Sequence, residues 1–402
     1  MSGGTRSFEF GRRLVEAGHS VDMITSWREG SRRSCWFTTE EAGMRVHWLP
    51  VRYSNCMGYR ERIRAFLRFA WGAARRAASL SGDVLFATST PLTIALPAVY
   101  ASRRMRIPMV FEVRDLWPEV PIALGALRNP LLVWLARRLE DFAYDNANRL
   151  VALAPGMKQS MVESGVSADR IAVIPNGADL HLFGPNFRNA ESQVQESLPL
   201  RDRPFILYPG AVGKANGVDY LVDIAIQLRK LGADLCIVVI GDGSERDKVR
   251  EKAREAGVHN RNFFLMDPVP KVELVSWFQS ASMVAITYTG PRVLWKDSVC
   301  NKFFDAIASG KPICHNFLGW AQRITYSRNT SIYLTPEDPA KAARQLVAKI
   351  QSPEWLEQAG QKNRELAESR FSRAELATEF EDVLYLAVRE ATTNGPGEIF
   401  ED

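Results

Sequence analysis

Short apolar or β-branched runs alternate along the chain with segments whose apolar positions follow the period of an α-helix. This alternation predicts β-α-β units arranged on parallel sheets. In the first half of the chain, strands are predicted at 21–25, 46–50, 84–88, 109–113, 150–153 and 171–174, and helices at 5–17, 59–80, 92–102, 131–146 and 157–164. In the second half, strands are predicted at 205–208, 235–240, 263–265, 283–286, 312–315 and 332–334, and helices at 217–230, 244–256, 271–280, 301–309, 339–350 and 353–368.

A polar stretch at about 184–203 has little periodicity and separates the two series. Such a stretch is typical of a linker between domains. We therefore expect two α/β domains, residues 1–184 and 204–373, followed by a terminal region, 374–402, that begins with a helix over 374–391.

The composition narrows the possible classes of protein. With 402 residues, 46% of them hydrophobic, the chain is long enough for about two to three folded domains. It contains no run of 18 apolar residues that could span a membrane. The five cysteines are scattered and lack the spacing of a metal site or a disulfide framework. A net charge of +5 favours an anionic partner without identifying it.

The beginning of the sequence is unusual for a parallel sheet. A glycine-rich turn, Gly3-Gly4-Thr5-Arg6, leads straight into the first predicted helix. In a doubly wound sheet such a turn follows the first strand, which lies in the middle of the sheet. We therefore expect a strand of about 5–6 residues upstream, because its neighbours would otherwise leave ladder groups unpaired. The alternative is that Gly3-Gly4 is a tag remnant or a frayed end.

Two strand–turn–helix junctions in the second series carry candidate phosphate ligands. Gly210 and Gly213 follow the first strand, and Lys214 adds a mobile cation. Glycines let a ligand approach the backbone closely, and the free N–H groups of the following helix attract an anion. Gly241 and Asp242 occupy the equivalent turn after the next strand, where Asp242 either binds a ligand or, more commonly, caps the helix. Each junction alone is also compatible with an ordinary turn.

The segment 296–312 combines charged residues with the beginning of a helix. Asp297 lies in the loop before the helix and Asp305 lies within it, so one carboxylate can meet sugar hydroxyls and the other a ribose diol. Asn301 is placed to cap the helix, and Lys302 lies near its positive end, where a diphosphate would bind. On these residues alone, a pair of acidic residues that favour the helix dipole is the commoner explanation.

A further candidate site follows the predicted strand 109–113. Glu112, Arg114 and Asp115 lie at the carboxyl end of this strand, outside which the ligands of open α/β sheets bind. The alternative is an Arg–Asp pair that supports a loop. By contrast, the turn signal Pro175-Asn-Gly-Ala-Asp179 is interpreted as structural, at the junction of the domains.

Together these segments resemble the retaining GT-B glycosyltransferases of family 4. Residues 175–179 are similar to the I-P-N-G-V-D segment of that family, and Ile240-Gly-Asp-Gly243 to its I-G-D-G segment. Asp297 and Asp305 have the spacing of its E-x7-E motif, although both glutamates are aspartates here. Arg114-Asp-Leu-Trp-Pro118 is similar to a bacterial subgroup associated with O-antigen, capsule and exopolysaccharide assembly, and Arg114 stands where many members have an active-site histidine.

The resemblance implies two Rossmann-like domains that face each other across a cleft, with the terminal helix crossing back to the first domain. It implies transfer of a hexosyl or N-acetylhexosaminyl group from a nucleotide-diphosphate sugar, UDP by family habit, with retention of configuration and without a metal or a cofactor. The residues that it assigns to the donor are Gly3, Gly4, Gly210, Gly213, Lys214, Gly241, Asp242, Asn301, Lys302 and Asp305. Those that it assigns to catalysis are Arg114, Asp115, Lys214 and Asp297.

The acceptor side is suggested by two basic segments, 59–80 and 131–139. Residues 59–80 contain six arginines and one glutamate, and Ile63, Phe66, Leu67, Ala70 and Trp71 share one helical face. Such a helix either lies on an anionic membrane or, more commonly, packs its apolar face on the core and leaves the basic face in water. Given the family, we expect a polyprenyl-diphosphate-linked saccharide as acceptor and a cytoplasmic location, peripheral at the inner face of the bacterial membrane.

Two other functions share this architecture. A sugar-nucleotide epimerase would need a carboxylate and histidine acid–base set, and of the histidines only His315, at a strand end, is placed near a site. A non-catalytic nucleotide- or glycan-binding protein is the other alternative, since both motif glutamates are replaced. A dinucleotide oxidoreductase is disfavoured, because neither half contains G-x-G-x-x-G with a downstream acidic residue.

Overall fold

The computed structural model describes residues 6–27, 35–52, 57–89, 91–184, 200, 203–298 and 300–393. Gly3, Gly4, most of the predicted linker and the end of the chain lie outside these residues. The described chain divides into two compact units: an N-terminal unit of residues 6–175 and 376–393, and a C-terminal unit of residues within 176–375.

The N-terminal unit alternates strands with helices. Its strands are β1 (Asp22–Trp27), β2 (Phe37–Glu41), β3 (Met44–Pro50), β4 (Leu85–Thr88), β5 (Met109–Val113), β6 (Arg149–Ala152) and β7 (Ile171–Val173). Its helices are α1 (Arg6–Glu16), α2 (Tyr59–Ala77), α3 (Ala95–Met105), α4 (Glu119–Ala123), α5 (Pro130–Asp145) and α6 (Pro155–Glu163).

The C-terminal unit repeats the alternation. Its strands are β8 (Phe205–Pro209), β9 (Cys236–Ile240), β10 (Phe263–Met266), β11 (Met283–Ile286), β12 (Ile313–His315) and β13 (Ser331–Tyr333). Its helices are α7 (Asp219–Lys230), α8 (Arg246–Glu255), α9 (Lys271–Ser280), α10 (Asn301–Ala308), α11 (Trp320–Ser327), α12 (Pro339–Ile350) and α13 (Pro353–Arg370), and α14 (Arg373–Thr393) ends the described chain.

The strands of the C-terminal unit form one parallel sheet in the order β10-β9-β8-β11-β12-β13. The first strand of the series, β8, therefore lies in the middle of a doubly wound sheet. β8, β9 and β11 are buried along their whole length, because helices cover both faces of such a sheet. All carboxyl ends of the strands meet at one edge, where the candidate donor residues follow β8, β9 and β11.

The strands of the N-terminal unit form two sheets. One has the order β1-β3-β2, with β1 and β3 parallel and β2 antiparallel, and the other is the parallel sheet β4-β5-β6-β7. The hairpin strand β2 was missed from the sequence, because Thr38, Thr39, Glu40 and Glu41 make it polar. Such polarity is typical of a strand with one face in water.

The terminal helix packs on the N-terminal unit. From Leu376 onward α14 belongs to this unit, and the Phe380 ring stacks on Phe10 of α1 with the ring centres 4.9 Å apart. Val110 of β5 and Val151 of β6 belong to the same buried cluster. The predicted fold class, two Rossmann-like α/β domains with a terminal helix that returns to the first, is confirmed.

Most predicted elements differ from the observed ones only at their ends. The helix predicted at 92–102 begins instead as a short 3₁₀ turn, Leu92–Ile94, and α11 was not predicted. No helix in the described part of the chain has both the length and the apolarity needed to cross a membrane.

Candidate functional site

The turns after β8 and β9 lie directly against each other. The Gly210 N–H donates to the Ile240 carbonyl at 2.9 Å, and the Val212 N–H donates to the Asp242 carbonyl at 2.9 Å. A Cβ on Gly241 would lie 1.8 Å from the Gly210 carbonyl oxygen, so only glycine fits there. Gly210 has a φ of 143°, which a side chain rarely permits. These two glycines therefore leave the backbone of both turns without side chains at the carboxyl ends of β8 and β9, where a ligand of such a sheet binds.

Lys302 provides a buried cation beside the same turn. It is the second residue of α10, and its Nζ lies 3.9 Å above the centre of the Tyr208 ring. A Cβ on Gly210 would lie 3.3 Å from this Nζ. The ammonium is buried and has no hydrogen-bond partner among the described residues. Burial lowers the pKa of Lys302 to about 8, since the charged form loses its hydration. An ammonium without a counter-ion at a glycine turn is suited to an anion.

Asp305 belongs to a buried network of two carboxylates and two cations. Lys271 Nζ lies 3.5 Å from Asp305 Oδ1 and 3.4 Å from Asp179 Oδ2. Arg373 Nη1 donates to the same Asp179 oxygen at 2.5 Å. Burial raises the pKa of Asp305, and Lys271 opposes this effect. Asp305 Oδ1 is buried without a hydrogen-bond partner among the described residues. It can therefore still accept a hydrogen bond from a donor such as a ribose hydroxyl.

Sequence reasoning missed most of this network. Residues 175–179 were interpreted as structural, and Asp179 does pair with Arg373 from a distant part of the chain. Lys271, the first residue of α9, carried no motif that could have marked it. Its position next to Asp305 depends on how α9 packs, which no local pattern encodes.

Asp297 lies in a cationic hollow. Its side chain is buried, Oδ2 has no hydrogen-bond partner among the described residues, and Lys296 Nζ lies 3.6 Å away. Arg292, Trp320 and Arg323 line the same hollow of about 570 Å³. A carboxylate beside an indole ring offers hydrogen bonds to hydroxyls and an apolar face for a sugar ring.

Three predicted donor ligands, Gly213, Asp242 and Asn301, are placed differently from expectation. The Gly213 N–H donates to Asn216 Oδ1 at 3.2 Å, so it is already occupied. The capping alternative for Asp242 is wrong, because Glu245 is the N-cap of α8 and Asp242 is exposed. Asn301 does not cap α10 either, because Cys300 occupies the N-cap position and Asn301 is the exposed first residue of the helix. Lys214 is exposed on a short 3₁₀ turn, Lys214–Asn216.

In the N-terminal unit, Glu112 is not available to a ligand, contrary to the expectation for its strand end. Its side chain is fully buried, with Oε1 accepting from Arg6 Nε at 2.6 Å and Oε2 accepting from Thr88 Oγ1 at 2.7 Å. Arg6 also donates to the carbonyls of Ile174 and Pro175 at 2.6 Å each. This ion pair is structural, because both carboxylate oxygens of Glu112 already accept hydrogen bonds.

Arg114 and Asp115 remain at the carboxyl end of β5. The Arg114 N–H donates to Ser89 Oγ at 3.0 Å, which fixes the backbone after the strand. The Arg114 side chain is half-buried and makes no ion pair in the part of the chain that the structure describes, and Asp115 is exposed. Both side chains are therefore placed where a ligand of this sheet edge could meet them.

His315 is not a site residue. It is fully buried, with Nδ1 2.7 Å from the Phe317 carbonyl and Nε2 3.0 Å from Ser331 Oγ. Burial lowers the pKa of His315 to about 4. Across the described ranges, no group of three or more His, Cys, Asp or Glu side chains is arranged to hold a metal ion.

Two glycosyltransferase families match the two halves of the chain. Residues 3–177 match the family described as "Glycosyl transferase 4-like domain", and residues 203–352 match "Glycosyl transferases group 1". With its two parallel-sheet units, the chain belongs to the glycosyltransferases of the GT-B fold.

Named relatives and a solved structure agree with this class. WcaI of Escherichia coli K12, named as a colanic acid biosynthesis glycosyl transferase, is 21% identical over 62% of this chain and 65% of its own length. D-inositol 3-phosphate glycosyltransferase of Paenarthrobacter aurescens is 29% identical over 54% of this chain and 52% of its own. The chain thus spans between about half and two thirds of these relatives. HepE of Anabaena, solved with UDP, has a TM-score of 0.66 at 15% identity, covering 86% of this chain and 87% of HepE.

Proposed function

We propose that the chain transfers a hexosyl or N-acetylhexosaminyl group from a UDP-linked donor to a polyprenyl-diphosphate-linked saccharide during assembly of a bacterial surface polysaccharide. The observation that carries the proposal is the buried, unpartnered Lys302 ammonium beside the Gly210 turn. A buried charge without a partner lowers the stability of the folded protein, because burial removes its hydration. Binding of the donor's diphosphate offsets this loss of hydration, because the diphosphate is an anion that pairs with the ammonium.

The remaining donor contacts extend from this point. The N-terminal end of α10 has no side-chain cap, and the positive end of the helix dipole there favours a diphosphate beside Lys302. Asp305, on the next turn of α10, accepts hydrogen bonds from the ribose hydroxyls through Oδ1, which lies 3.5 Å from Lys271 Nζ but has no hydrogen-bond partner among the described residues. Asp297 accepts hydrogen bonds from hydroxyls of the transferred sugar, in the hollow that Trp320 also lines. Each part of a nucleotide sugar thereby meets a group of matching chemistry.

The proposed reaction breaks the bond between the anomeric carbon and the diphosphate oxygen and forms a bond from that carbon to an acceptor oxygen. The acceptor proton passes to the departing diphosphate on the same face, so configuration is retained without a covalent intermediate. The chemical demand falls on the charge that develops on the leaving group. Lys302, the α10 N-terminus and Lys214 supply positive potential for it. Arg114 is proposed separately as a catalytic cation at the carboxyl end of β5. With this positive potential, we propose that no metal ion is needed.

The relatives support the substrate classes. HepE was solved with UDP, which favours uridine as the base of the donor. WcaI is named for biosynthesis of colanic acid, which favours a role in polysaccharide assembly.

The first test is a thermal-shift screen of nucleoside diphosphates followed by a transfer assay. UDP at about 100 times its Kd should add about 2.7 kcal/mol of stability and raise the melting temperature by roughly 5–10 °C, more than ADP or GDP does. NMR of the product of a lipid-linked acceptor should then show the anomeric configuration of the donor. Binding of UDP without turnover would favour the non-catalytic alternative, and no shift with any nucleoside diphosphate would refute the proposal.

The acceptor is proposed to be reached at a membrane surface. α2 packs on its unit through small buried residues such as Ala65 and Ala73. Large side chains of its predicted apolar face are exposed to solvent. Ile63, Leu67 and Trp71 on that face are 42%, 56% and 66% exposed. Packing of this face on the core, the commoner expectation from sequence, is therefore not what α2 does.

Basic side chains flank the exposed stripe. Arg60, Arg64 and Arg68 are exposed and make no ion pair with the residues that the structure describes. α3 contacts both α2 and α5, and α5 exposes a second apolar and basic set: Leu131, Leu132, Trp134, Leu135, Arg137 and Arg138. Exposed apolar groups among arginines match an anionic bilayer, where each near-surface charge contributes about 1 kcal/mol. This pattern supports a peripheral location at the inner face of the bacterial membrane.

Vesicle sedimentation tests this surface. The double substitution Arg64→Gln/Arg68→Gln should lower partitioning onto anionic vesicles roughly 30-fold, because it removes about 2 kcal/mol of attraction. Added salt should weaken binding of the unaltered chain in the same direction. Val272→Ser, an exposed apolar change on α9, is the matched control and should bind as the unaltered chain does. Equal partitioning onto neutral and anionic vesicles would contradict the proposal.

A further inference from the structure

A cavity in the N-terminal unit lies where the last two turns of α2 meet the residue before β2. It has a volume of about 390 Å³, within the usual range for a small-molecule site. Its lining residues are Trp36, Trp71, Gly72, Arg75, Arg76 and Ser79. Two guanidinium groups and two indole rings therefore surround one space, and none of the described residues that line it is acidic. We call it the Trp36–Arg76 cavity.

Gly72 lets the aromatic wall of the cavity approach the helix. A Cβ on Gly72 would lie 2.7 Å from Leu49 Cδ2 and 3.4 Å from Trp36 Cζ2, so a larger residue would force these side chains to move. Leu49 of β3 and the partly buried Trp36 belong to one apolar cluster. Trp71, the neighbour of Gly72 on α2, is 66% exposed. One indole is thus fixed by packing, and the other lies at the surface of the helix.

Arg76 is held at the cavity by side chains from all three strands of the β1-β3-β2 sheet. Its Nη2 donates to Nδ1 of the buried His47 of β3 at 2.9 Å. His47 Nε2 lies 2.9 Å from Asp22 Oδ1 of β1, and Thr38 Oγ1 of β2 lies 2.9 Å from His47 Nδ1. Because Nδ1 accepts from Arg76, Nε2 carries the ring proton and donates to the carboxylate. These contacts fix one edge of the guanidinium.

The two arginines of the cavity keep positive charge available. Neither Arg75 nor Arg76 makes an ion pair with the residues that the structure describes. Arg76 Nε is buried and has no hydrogen-bond partner among them, which lowers stability unless an acceptor arrives. The Arg75 guanidinium carbon lies 4.6 Å from the centre of the Trp71 ring. Guanidinium groups bind carboxylates and phosphates through paired N–H donors, so the cavity is suited to either anion.

The remaining lining groups indicate what carries the anion. An indole ring offers an apolar face on which the C–H face of a sugar ring can pack. The Ser79 hydroxyl donates to the Arg76 carbonyl at 2.8 Å, which leaves its lone pairs available to a sugar hydroxyl. Aromatic faces, a hydroxyl acceptor and cations without carboxylate partners together match a saccharide with an anionic substituent.

We propose that the Trp36–Arg76 cavity binds an acidic saccharide, that is, a sugar that carries a carboxylate or a phosphate. The anionic group pairs with Arg75 and Arg76, and the sugar ring packs on an indole of the cavity. All lining residues belong to the N-terminal unit, whereas the proposed donor site lies in the C-terminal unit. The inference therefore does not rest on the proposed transfer reaction.

Calorimetric titration, with excess UDP present to occupy the proposed donor site, tests the ligand class. Methyl glucuronoside and glucose 6-phosphate supply the two anionic groups, methyl glucoside is the neutral sugar, and inorganic phosphate is an anion without a ring. The tighter of the two anionic sugars should bind about 10- to 100-fold more tightly than methyl glucoside, because a charge-assisted hydrogen bond is added. Which of the two binds more tightly identifies the anionic group.

Three results of this titration would overturn the proposal. The first is no binding of either anionic sugar. The second is equal affinity for methyl glucoside, which would show that the arginines do not contact the ligand. The third is inorganic phosphate bound as tightly as the tighter anionic sugar, which would show a simple anion site.

Substitutions place the bound sugar in the cavity. Arg75→Gln removes an exposed cation and should weaken binding of the anionic sugar about tenfold. Arg76→Lys keeps the charge but loses the paired donors, and it should also weaken binding about tenfold. Arg104→Gln removes an exposed arginine of α3 and is the matched control, which should bind as the unaltered chain does. Equal effects of Arg75→Gln and Arg104→Gln, or no effect of either cavity substitution, would overturn the proposal.

Discussion

Replacement of Lys302 by methionine is expected to weaken binding of UDP-glucose by roughly 30- to 100-fold, about 2–3 kcal/mol. The reason is that a charge-assisted contact to the diphosphate disappears from a water-poor position above the Tyr208 ring. The same change should leave the melting temperature of the ligand-free chain unchanged or higher. Methionine fills a similar volume and removes a buried ammonium that has no partner within the described residues. Calorimetric titration and thermal unfolding measure the two effects.

The combination of the two readouts distinguishes a ligand contact from damage to the fold. Lys341→Met, an exposed change on α12, is the control and should alter neither quantity. If Lys302→Met lowered stability while the affinity for UDP-glucose stayed the same, Lys302 would be a structural residue and the donor site would lie elsewhere.

The pH dependence of UDP-glucose binding also tests whether the Lys302 ammonium contacts the diphosphate. The pKa of Lys302 is lowered to about 8, so the ammonium is mostly charged at pH 7 and mostly neutral at pH 9. The diphosphate binds the charged form, so affinity for UDP-glucose should fall by up to about tenfold for each pH unit above 8. Lys302→Arg keeps its charge over this range, and its affinity should be flat. A flat profile for the unaltered chain would contradict this role.

The largest effect on stability is expected for Glu112→Ala. The Arg6 guanidinium would remain buried without its counter-ion, which costs about 3–5 kcal/mol. The side chains of Arg6 and Glu112 are 4% and 0% exposed, so water cannot replace the lost contact. Domains are stable by only about 5–15 kcal/mol, and the N-terminal unit should therefore unfold first in denaturant. Fluorescence of Trp27 and Trp48, which both lie in this unit, follows that step.

An exposed ion pair of the same unit provides the comparison. Arg45 Nη2 lies 2.5 Å from Asp22 Oδ2, but the Arg45 side chain is 62% exposed. Arg45→Ala should therefore cost less than about 1 kcal/mol. Adding Arg6→Met to Glu112→Ala should recover part of the loss, because the uncompensated charge is removed. A cost of Glu112→Ala as small as that of Arg45→Ala would show that the buried pair does not stabilise this unit.

Parts of the candidate site could be predicted from the sequence because they are local. Gly210 and Gly241 follow apolar strands, and the turns that they form depend on a few adjacent residues. Lys302 could be placed near a helix N-terminus from the same kind of pattern. The capping role expected for Asn301 and the capping alternative for Asp242 were wrong, because Cys300 and Glu245 occupy the N-cap positions of α10 and α8.

The rest of the site could not be predicted because its contacts join distant segments. Glu112 was placed at a ligand edge, but Arg6 reaches it from α1 and neutralises it. Asp179, Lys271 and Arg373 meet near Asp305 although they are far apart in the sequence. Local periodicity contains no information about such pairings.

The sequence by itself determined the alternation of strands and helices, the two-domain division and the glycine turns, since each depends on the period of apolar residues or on backbone freedom over a few positions. Only the tertiary structure decided which charges are neutralised and which are kept available. Burial leaves the Lys302 ammonium without a partner among the described groups, and it encloses Glu112 with Arg6. The free energy of a charge depends on the solvent and on the partners that folding places around it, and neither is a property of the residue or of its neighbours in the chain.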